Sequence, residues 1–152
     1  MTVNVAQSTH TLQISRVIPA TPRQVFDAWT DPAILANWFA PERSFTTIVH
    51  EIDLRVGGRY RIEMLSPDGV PHTAIGVYRD ITPGTRLSFT WKWAERAEME
   101  ETLVTLDFLP HGADTELVLR HSLFLSADAR DHHEKGWNGC IARLLDLRER
   151  AV

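Results

Sequence analysis

The chain has 152 residues, the length of one typical domain. With 43% hydrophobic and 24% charged residues, its composition excludes a disordered or fibrous protein. A net charge of −4 gives no basic surface for nucleic acid, so we expect no nucleic-acid partner. Cys140 is the only cysteine and cannot form an internal disulfide, which is typical of a reducing compartment. We therefore expect a single cytoplasmic domain over residues 1–152, without a signal peptide or membrane insertion.

The first elements in the chain are predicted to be one strand and two short helices. Apolar and polar residues alternate over residues 10–18, which is typical of a strand. Thr21–Pro22 and Asp31–Pro32 each place a capping side chain directly before a proline, the signature of a helix N-terminus. The apolar residues after each proline, including Trp29 and Trp38, share one face of a short helix.

Six strands are predicted to follow, from Phe45 onward, because the hydrophobic period changes to two. Residues suited to tight turns separate most of them, namely Gly57–Gly58, Pro67–Asp68–Gly69, Thr82–Pro83–Gly84 and Pro110–His111–Gly112. In the last strand one face carries Leu117, Leu119, His121 and Leu123. Consecutive strands joined by hairpins predict an antiparallel sheet.

A long helix is predicted after Ser126, where the period returns to 3.6. Trp137, Ile141 and Leu144 form its apolar stripe, so the helix is expected to cover the sheet. Gly136 and Gly139 interrupt this pattern, although a helical glycine costs about 1 kcal/mol relative to alanine. They predict either a close approach to the sheet or room for another group.

Short segments in a fixed order resemble a known family over nearly the whole chain. These segments are residues 22–32, Trp38–Phe39, residues 53–58, residues 67–69, Gly76–Val77–Tyr78, residues 87–91 and residues 133–137. Their order and spacing are similar to the START-like (SRPBCC) superfamily, and within it to the branch named after the activator of the heat-shock-protein ATPase. None of these segments is a catalytic signature.

The resemblance implies an α+β helix-grip fold. In that fold a seven-stranded curved antiparallel sheet wraps around a long C-terminal helix, with two short helices after strand 1. It also implies a cavity between sheet and helix that holds an apolar or aromatic small molecule.

The candidate site residues are polar and aromatic side chains on the predicted inward faces, together with their apolar neighbours. They are His50, Ile52, Tyr60, Ile62, Met64, Trp91, Trp93, His121, Trp137 and Ile141. Two interpretations stay open. These residues either belong to a solid core with satisfied hydrogen bonds, or they converge on a cavity and orient the polar end of a ligand.

Metal binding and nucleophilic catalysis are not indicated by the sequence. His132 and His133 are adjacent and would point about 100° apart on a helix. Trp137 occupies the position where a zinc-binding helix carries its second histidine. No Gly-x-Ser-x-Gly nucleophile motif is present. We expect neither a metal nor another cofactor, and no catalytic residue is assigned.

Three functions follow from these observations. The first is binding of an apolar or aromatic small molecule in the cavity. The second is a polyketide cyclase or aromatase-like enzyme, in which the same cavity guides ring closure and a His or Tyr acts as acid or base. It requires that His50 or His121 reach the cavity. The third is a co-chaperone, as the name of the branch suggests. We do not expect chaperone binding, because the eukaryotic activator shares it with a separate N-terminal domain for which this chain has no room. A homodimer is left open.

Overall fold

The computed structural model describes residues 9–150, with side chains described for residues 9–147. Its elements are β1 (His10–Ile18), α1 (Pro22–Thr30), α2 (Pro32–Trp38), β2 (Thr46–Ile52), β3 (Arg59–Leu65), β4 (Pro71–Thr82), β5 (Arg86–Trp93), β6 (Thr102–His111), β7 (Asp114–Phe124) and α3 (Ala127–Arg150). The predicted order of strand, two short helices, six strands and long helix is confirmed.

The two short helices begin at the predicted caps. The Thr21 hydroxyl accepts the Gln24 backbone N–H at 3.2 Å, and the Gln24 side chain accepts the Thr21 backbone N–H at 2.9 Å. The Asp31 carboxylate accepts the Ala33 N–H at 2.9 Å. Each side chain satisfies a backbone donor that has no partner inside the helix, which fixes where the helix starts.

The seven strands form one antiparallel sheet with the order β1-β7-β6-β5-β4-β3-β2. Strands β2 to β7 are joined consecutively by turns, while β1 pairs with β7. The first two strands in the chain therefore form the two edges of the sheet, and the last two strands bring the chain back beside β1.

The sheet departs from regular pairing where β4 approaches β5. A Cβ on Gly76 would lie 1.9 Å from the carbonyl oxygen of Thr90, so only glycine permits this approach. The Tyr60 hydroxyl donates a hydrogen bond to the same carbonyl at 2.6 Å. The pairing of β4 with β5 also shifts between Tyr78 and Asp80. Such irregularities bend a strand locally and allow the sheet to curve.

Strand β7 changes its inward face near its end. Leu123 has a φ of 73°, which lies in the left-handed region, and its side chain is 46% exposed. Phe124 is buried instead. The expectation that Leu123 continues the inward face of Leu117, Leu119 and His121 is therefore wrong, because this backbone conformation interrupts the alternation.

Helix α3 covers the sheet, as expected. Its start is capped by Ser126, whose hydroxyl accepts the Ala129 N–H at 3.1 Å. The helix packs against β1, β7 and α2, and its stripe of Trp137, Ile141 and Leu144 is buried in the core. The protein has the α+β helix-grip fold. Within residues 9–150, none of the helices has the length and apolar character needed to cross a membrane.

Candidate functional site

A cavity of about 450 Å³ lies where α3 faces β3, β4 and β5. The sheet contributes Met64, His72, Trp91 and Trp93. Helix α3 contributes His132, His133, Lys135, Gly136, Trp137 and Cys140. The connection between α2 and β2 contributes Phe39, Pro41, Glu42 and Phe45. The site is therefore built from three parts of the chain that are distant in sequence.

Aromatic rings form most of the cavity wall and fix one another in place. Trp91 contacts Trp93 at a centroid distance of 5.2 Å and Trp137 at 5.0 Å. His133 stacks on Trp93 at 5.7 Å with an interplanar angle of 27°. Phe39 packs edge-on against both Trp91 and Trp137. Rings held in this way give a rigid apolar wall suited to a flat or aliphatic ligand.

The two glycines of α3 serve different purposes. A Cβ on Gly136 would meet no atom within 4 Å, so this residue borders open space in the cavity. A Cβ on Gly139 would lie 2.3 Å from the carbonyl oxygen of Pro41. Gly136 thus leaves room in the cavity, whereas Gly139 allows the connection after α2 to lie close to the helix.

His121 is completely buried beside the cavity and has both ring nitrogens satisfied. The Thr102 hydroxyl donates a hydrogen bond to the Trp91 carbonyl at 2.8 Å, so it accepts a hydrogen bond from the N–H of His121 Nε2, which is 2.7 Å away. His121 Nδ1 then accepts the indole N–H of Trp137 at 3.0 Å. This assignment requires a neutral ring with its proton on Nε2. His121 therefore holds a wall residue and is not itself part of the cavity lining.

Among the candidate residues from sequence, Met64, Trp91, Trp93 and Trp137 line the cavity. Tyr60 and Ile62 lie next to a much smaller void of about 20 Å³. Ile141 is buried in the core, and Ile52 is partly buried and packs against the core. Tyr60 and His121 thus match the alternative interpretation of satisfied core groups.

His50 lies on the outer surface, contrary to the expected inward face. Its side chain is 42% exposed and its Nε2 lies 2.8 Å from a carboxylate oxygen of Glu63. The cause is a bulge in β2, where the pairing with β3 shifts between Val49 and Glu51. Val49 is partly buried and Ile48 is exposed, so the first half of β2 has the face opposite to the one predicted. The assignment of His50 to the inward face is wrong.

The enzyme hypothesis required His50 or His121 to reach the cavity. His50 points to solvent, and His121 is sealed between Thr102 and Trp137. Neither histidine meets the geometric condition. For the residues with described side chains, no group of three His, Cys, Asp or Glu is placed to hold a metal ion.

Several lining residues were not among the sequence candidates. His133 stands four residues before Trp137, so its helical spacing already placed it on the same face as a candidate. His72 and the residues of the α2–β2 connection carried no such signal. Their approach to α3 depends on long-range packing that a local hydrophobic pattern does not contain.

Two lining side chains carry buried polar atoms without a hydrogen-bond partner, Trp91 Nε1 and His133 Nε2. The other nitrogen of His133, Nδ1, lies 2.8 Å from the Ala129 carbonyl and therefore donates to it. Burial lowers the pKa of His133 and outweighs its hydrogen bond to the Ala129 carbonyl, which raises the pKa; His132 and Arg96 nearby also lower it. The ring is neutral at pH 7, and Nε2 presents a lone pair.

The exposed members of the lining are Glu42, His72, His132 and Lys135. Cys140 lies deeper, and burial raises the pKa of its thiol to about 12. A thiol with this pKa stays protonated at neutral pH, so Cys140 contributes packing rather than a nucleophile. The cavity is apolar inside and polar at its exposed residues.

We expect the protein to lose stability as the pH falls below about 6.5. Burial lowers the pKa of His121 well below its ordinary value, and burial also lowers that of His133. Between these lowered pKa values and 6.5 the unfolded chain binds more protons than the folded one, so the free energy of unfolding increases with pH. Urea unfolding at a series of pH values from 7.5 to 5 measures this slope.

The variant His121→Asn removes one of the two titrating groups. Its slope of unfolding free energy against pH is expected to be shallower than that of the wild type, whatever its absolute stability. Equal slopes in the two proteins would contradict a neutral His121 in the folded state.

Comparison with known proteins places this chain in a family. A protein from Chromobacterium violaceum with a known crystal structure is 30% identical in sequence to this chain. The alignment covers 91% of this chain and 96% of the Chromobacterium violaceum chain, with a TM-score of 0.82. The AHSA1 protein from Silicibacter pomeroyi is 22% identical, with 94% and 100% of the two chains covered and a TM-score of 0.83. The AHSA1-like protein from Aeromonas hydrophila is 24% identical, with 93% and 94% covered and a TM-score of 0.80.

The last two structures show the fold alone at this level of identity. No curated protein matches the sequence. Residues 19–149 match the family described as Activator of Hsp90 ATPase homolog 1-like protein. Because this match spans most of the 152 residues, the chain belongs to the family of Activator of Hsp90 ATPase homolog 1-like proteins.

Proposed function

We propose that the protein binds an apolar or aromatic small molecule between the sheet and α3. The observation that carries this proposal is the cavity of about 450 Å³, walled by the rings of Trp91, Trp93, His133 and Trp137. Its volume falls within the range of roughly 300–1,000 Å³ that is typical of small-molecule sites. An apolar lining with few polar atoms is also the usual composition of such sites.

The sequence of α3 supports binding over simple core packing. Gly136 costs the helix about 1 kcal/mol relative to alanine. A Cβ there would meet no other atom within 4 Å. A protein that needed only a solid core would gain stability from a larger residue at this position. The small residue is explained if the space is used by a ligand.

The name of the family refers to activation of a chaperone ATPase. That name alone does not distinguish a co-chaperone from a binding protein. The cavity favours the binding protein, and we therefore base the experiment on the cavity.

The variant Gly136→Leu is expected to weaken ligand binding by at least about tenfold, because burying a ligand of this size is worth several kcal/mol and leucine takes part of its space. Leucine is a better helix former than glycine, so the variant should fold. Quenching of tryptophan fluorescence and emission of N-phenyl-1-naphthylamine, an uncharged apolar dye, measure the affinity.

The matched control is Ala142→Leu, which places the same side chain on the exposed face of α3. Its affinity for the dye is expected to equal that of the wild type. If the dye binds Gly136→Leu as tightly as the wild type, or does not bind the wild type in a saturable way, the proposed function is wrong.

A further inference from the structure

We propose that the ligand carries an uncharged hydroxyl group, such as a phenol or an alcohol, which is held between Trp91 and His133. This inference rests on the proposed function and names the chemical class of the molecule. Buried side-chain nitrogens without a hydrogen-bond partner occur at three places among the described side chains, namely Trp29 Nε1, Trp91 Nε1 and His133 Nε2. Two of the three belong to residues that line the cavity.

Unpaired buried polar atoms are rare in folded proteins because each one has lost its hydrogen bonds to water. No other described residue that lines the cavity carries such an unpaired buried atom. Trp137 donates its indole N–H to His121, and both nitrogens of His121 are paired. A partner that the protein itself does not provide would therefore complete the hydrogen bonding at Trp91 and His133.

The two atoms have opposite hydrogen-bonding roles. An indole N–H can only donate. In His133 the Nδ1 proton is already committed to the Ala129 carbonyl, so Nε2 can only accept. A hydroxyl oxygen can accept from the indole while its proton is donated to the imidazole. A group that can only accept, such as an ether oxygen or an ionised carboxylate, satisfies Trp91 but leaves His133 Nε2 unpaired.

The rings that carry these atoms are neighbours. Their centroids are 6.3 Å apart and their planes are nearly perpendicular, at 79°. Trp93 stacks on His133 and contacts Trp91 edge-on, so the three rings pack as one group in the cavity wall. Each unpaired nitrogen has less than 1 Å² of accessible surface, so a small rotation of the rings accompanies binding of a hydroxyl between them.

A carboxylate is the main competing group, because Lys135 lines the same cavity. A carboxylate could accept from Trp91 but would face the lone pair of His133 Nε2. It would be accommodated only if His133 took up a proton. Burial opposes that charge, as do the nearby Arg96, His132 and His121, and together they outweigh the Ala129 carbonyl, which favours it. The site therefore favours the uncharged group.

Four naphthalene compounds test the proposal on the wild-type protein at pH 7.5. They are naphthalene, 1-methoxynaphthalene, 1-naphthol and 1-naphthoate, and their affinities are measured by displacement of N-phenyl-1-naphthylamine. We expect 1-naphthol to bind about tenfold more tightly than naphthalene, since each additional net hydrogen bond contributes about two- to tenfold. The methoxy compound, which only accepts, should lie between them, and 1-naphthoate should bind no better than naphthalene.

The variants Trp91→Phe and His133→Phe each keep a ring and remove one hydrogen-bonding atom. The ratio of the naphthol and naphthalene affinities within each variant cancels changes in cavity shape, and we expect it to fall to about threefold or less. The control Trp29→Phe removes the third unpaired nitrogen, which belongs to a residue outside the cavity lining, and it should keep the wild-type ratio.

Equal binding of 1-naphthol and naphthalene to the wild type would overturn the hydroxyl proposal while leaving the proposed function intact. Tighter binding of 1-naphthoate than of 1-naphthol would overturn it in favour of an anionic ligand. If neither the dye nor any of the four compounds binds in a saturable way, the proposed function itself fails.

Discussion

Replacing His121 by alanine is expected to lower the free energy of unfolding by about 3–5 kcal/mol. Two effects add. The substitution leaves a void at a residue with no exposed surface, and it removes the acceptor of the Trp137 indole N–H. For a chain of this size the loss corresponds to a decrease in Tm on the order of 10 °C. Urea and thermal unfolding measure both quantities.

Two variants separate the hydrogen bond from the packing. In His121→Asn the amide oxygen can still accept from Trp137, so we expect a smaller loss than in the alanine variant. His50→Ala removes a histidine that pairs with Glu63 on the surface, where such a contact contributes about 1 kcal/mol or less. These two histidines were equivalent candidates in the sequence, and their predicted effects differ severalfold.

A loss below about 1 kcal/mol for His121→Ala would contradict the hydrogen-bonded arrangement of Thr102, His121 and Trp137. A loss for the asparagine variant equal to that for alanine would show that the acceptor for Trp137 contributes little. In that case packing alone would account for the burial of His121.

Features that depend on neighbouring residues were predictable from the sequence. The caps at Thr21, Asp31 and Ser126 need only a side-chain oxygen a few residues before a backbone N–H. The turns need residues that tolerate a special backbone conformation, as Gly69 and Gly84 do with φ of 85° and 72°. The fold followed from the order of these elements.

The inward faces of the strands were predictable only where the pairing is regular. Tyr60, Ile62 and Met64 alternate as expected and are buried. In β2 the bulge at His50 exchanges the two faces, yet no glycine or proline marks it in the sequence. A single extra residue inverts the orientation of all residues on one side of it. A face assigned by alternation therefore holds only up to the next bulge.

The family resemblance implied the position of the cavity, between sheet and helix, but not its full lining. The tryptophans of β5 and α3 line it, since two apolar elements that face each other must either meet or leave a space. The third wall, formed by the α2–β2 connection with Phe39, Pro41 and Phe45, comes from a tertiary contact. That contact depends on Gly139, whose sequence signal was ambiguous. The same glycine offers a direct test of how the wall is placed.

Replacing Gly139 by alanine is expected to destabilise the protein by about 2 kcal/mol, although alanine is the better helix former. The added Cβ would lie 2.3 Å from the Pro41 carbonyl oxygen. A backbone atom in a connection between two elements cannot rotate away as a flexible side chain can. The α2–β2 connection must then move away from α3, and this movement displaces Phe39 and Phe45 from the cavity wall. Thermal unfolding measures the first effect, and affinity for the apolar dye measures the second.

Gly136→Ala is the matched substitution three residues earlier in the same helix. Its Cβ meets nothing within 4 Å, so we expect a gain of about 0.5–1 kcal/mol from helix propensity alone. The two variants change the same residue type to the same product, and their opposite signs isolate the contact with Pro41. If Gly139→Ala also stabilises the protein, the α2–β2 connection does not lie against α3 as described, and the cavity lacks its third wall.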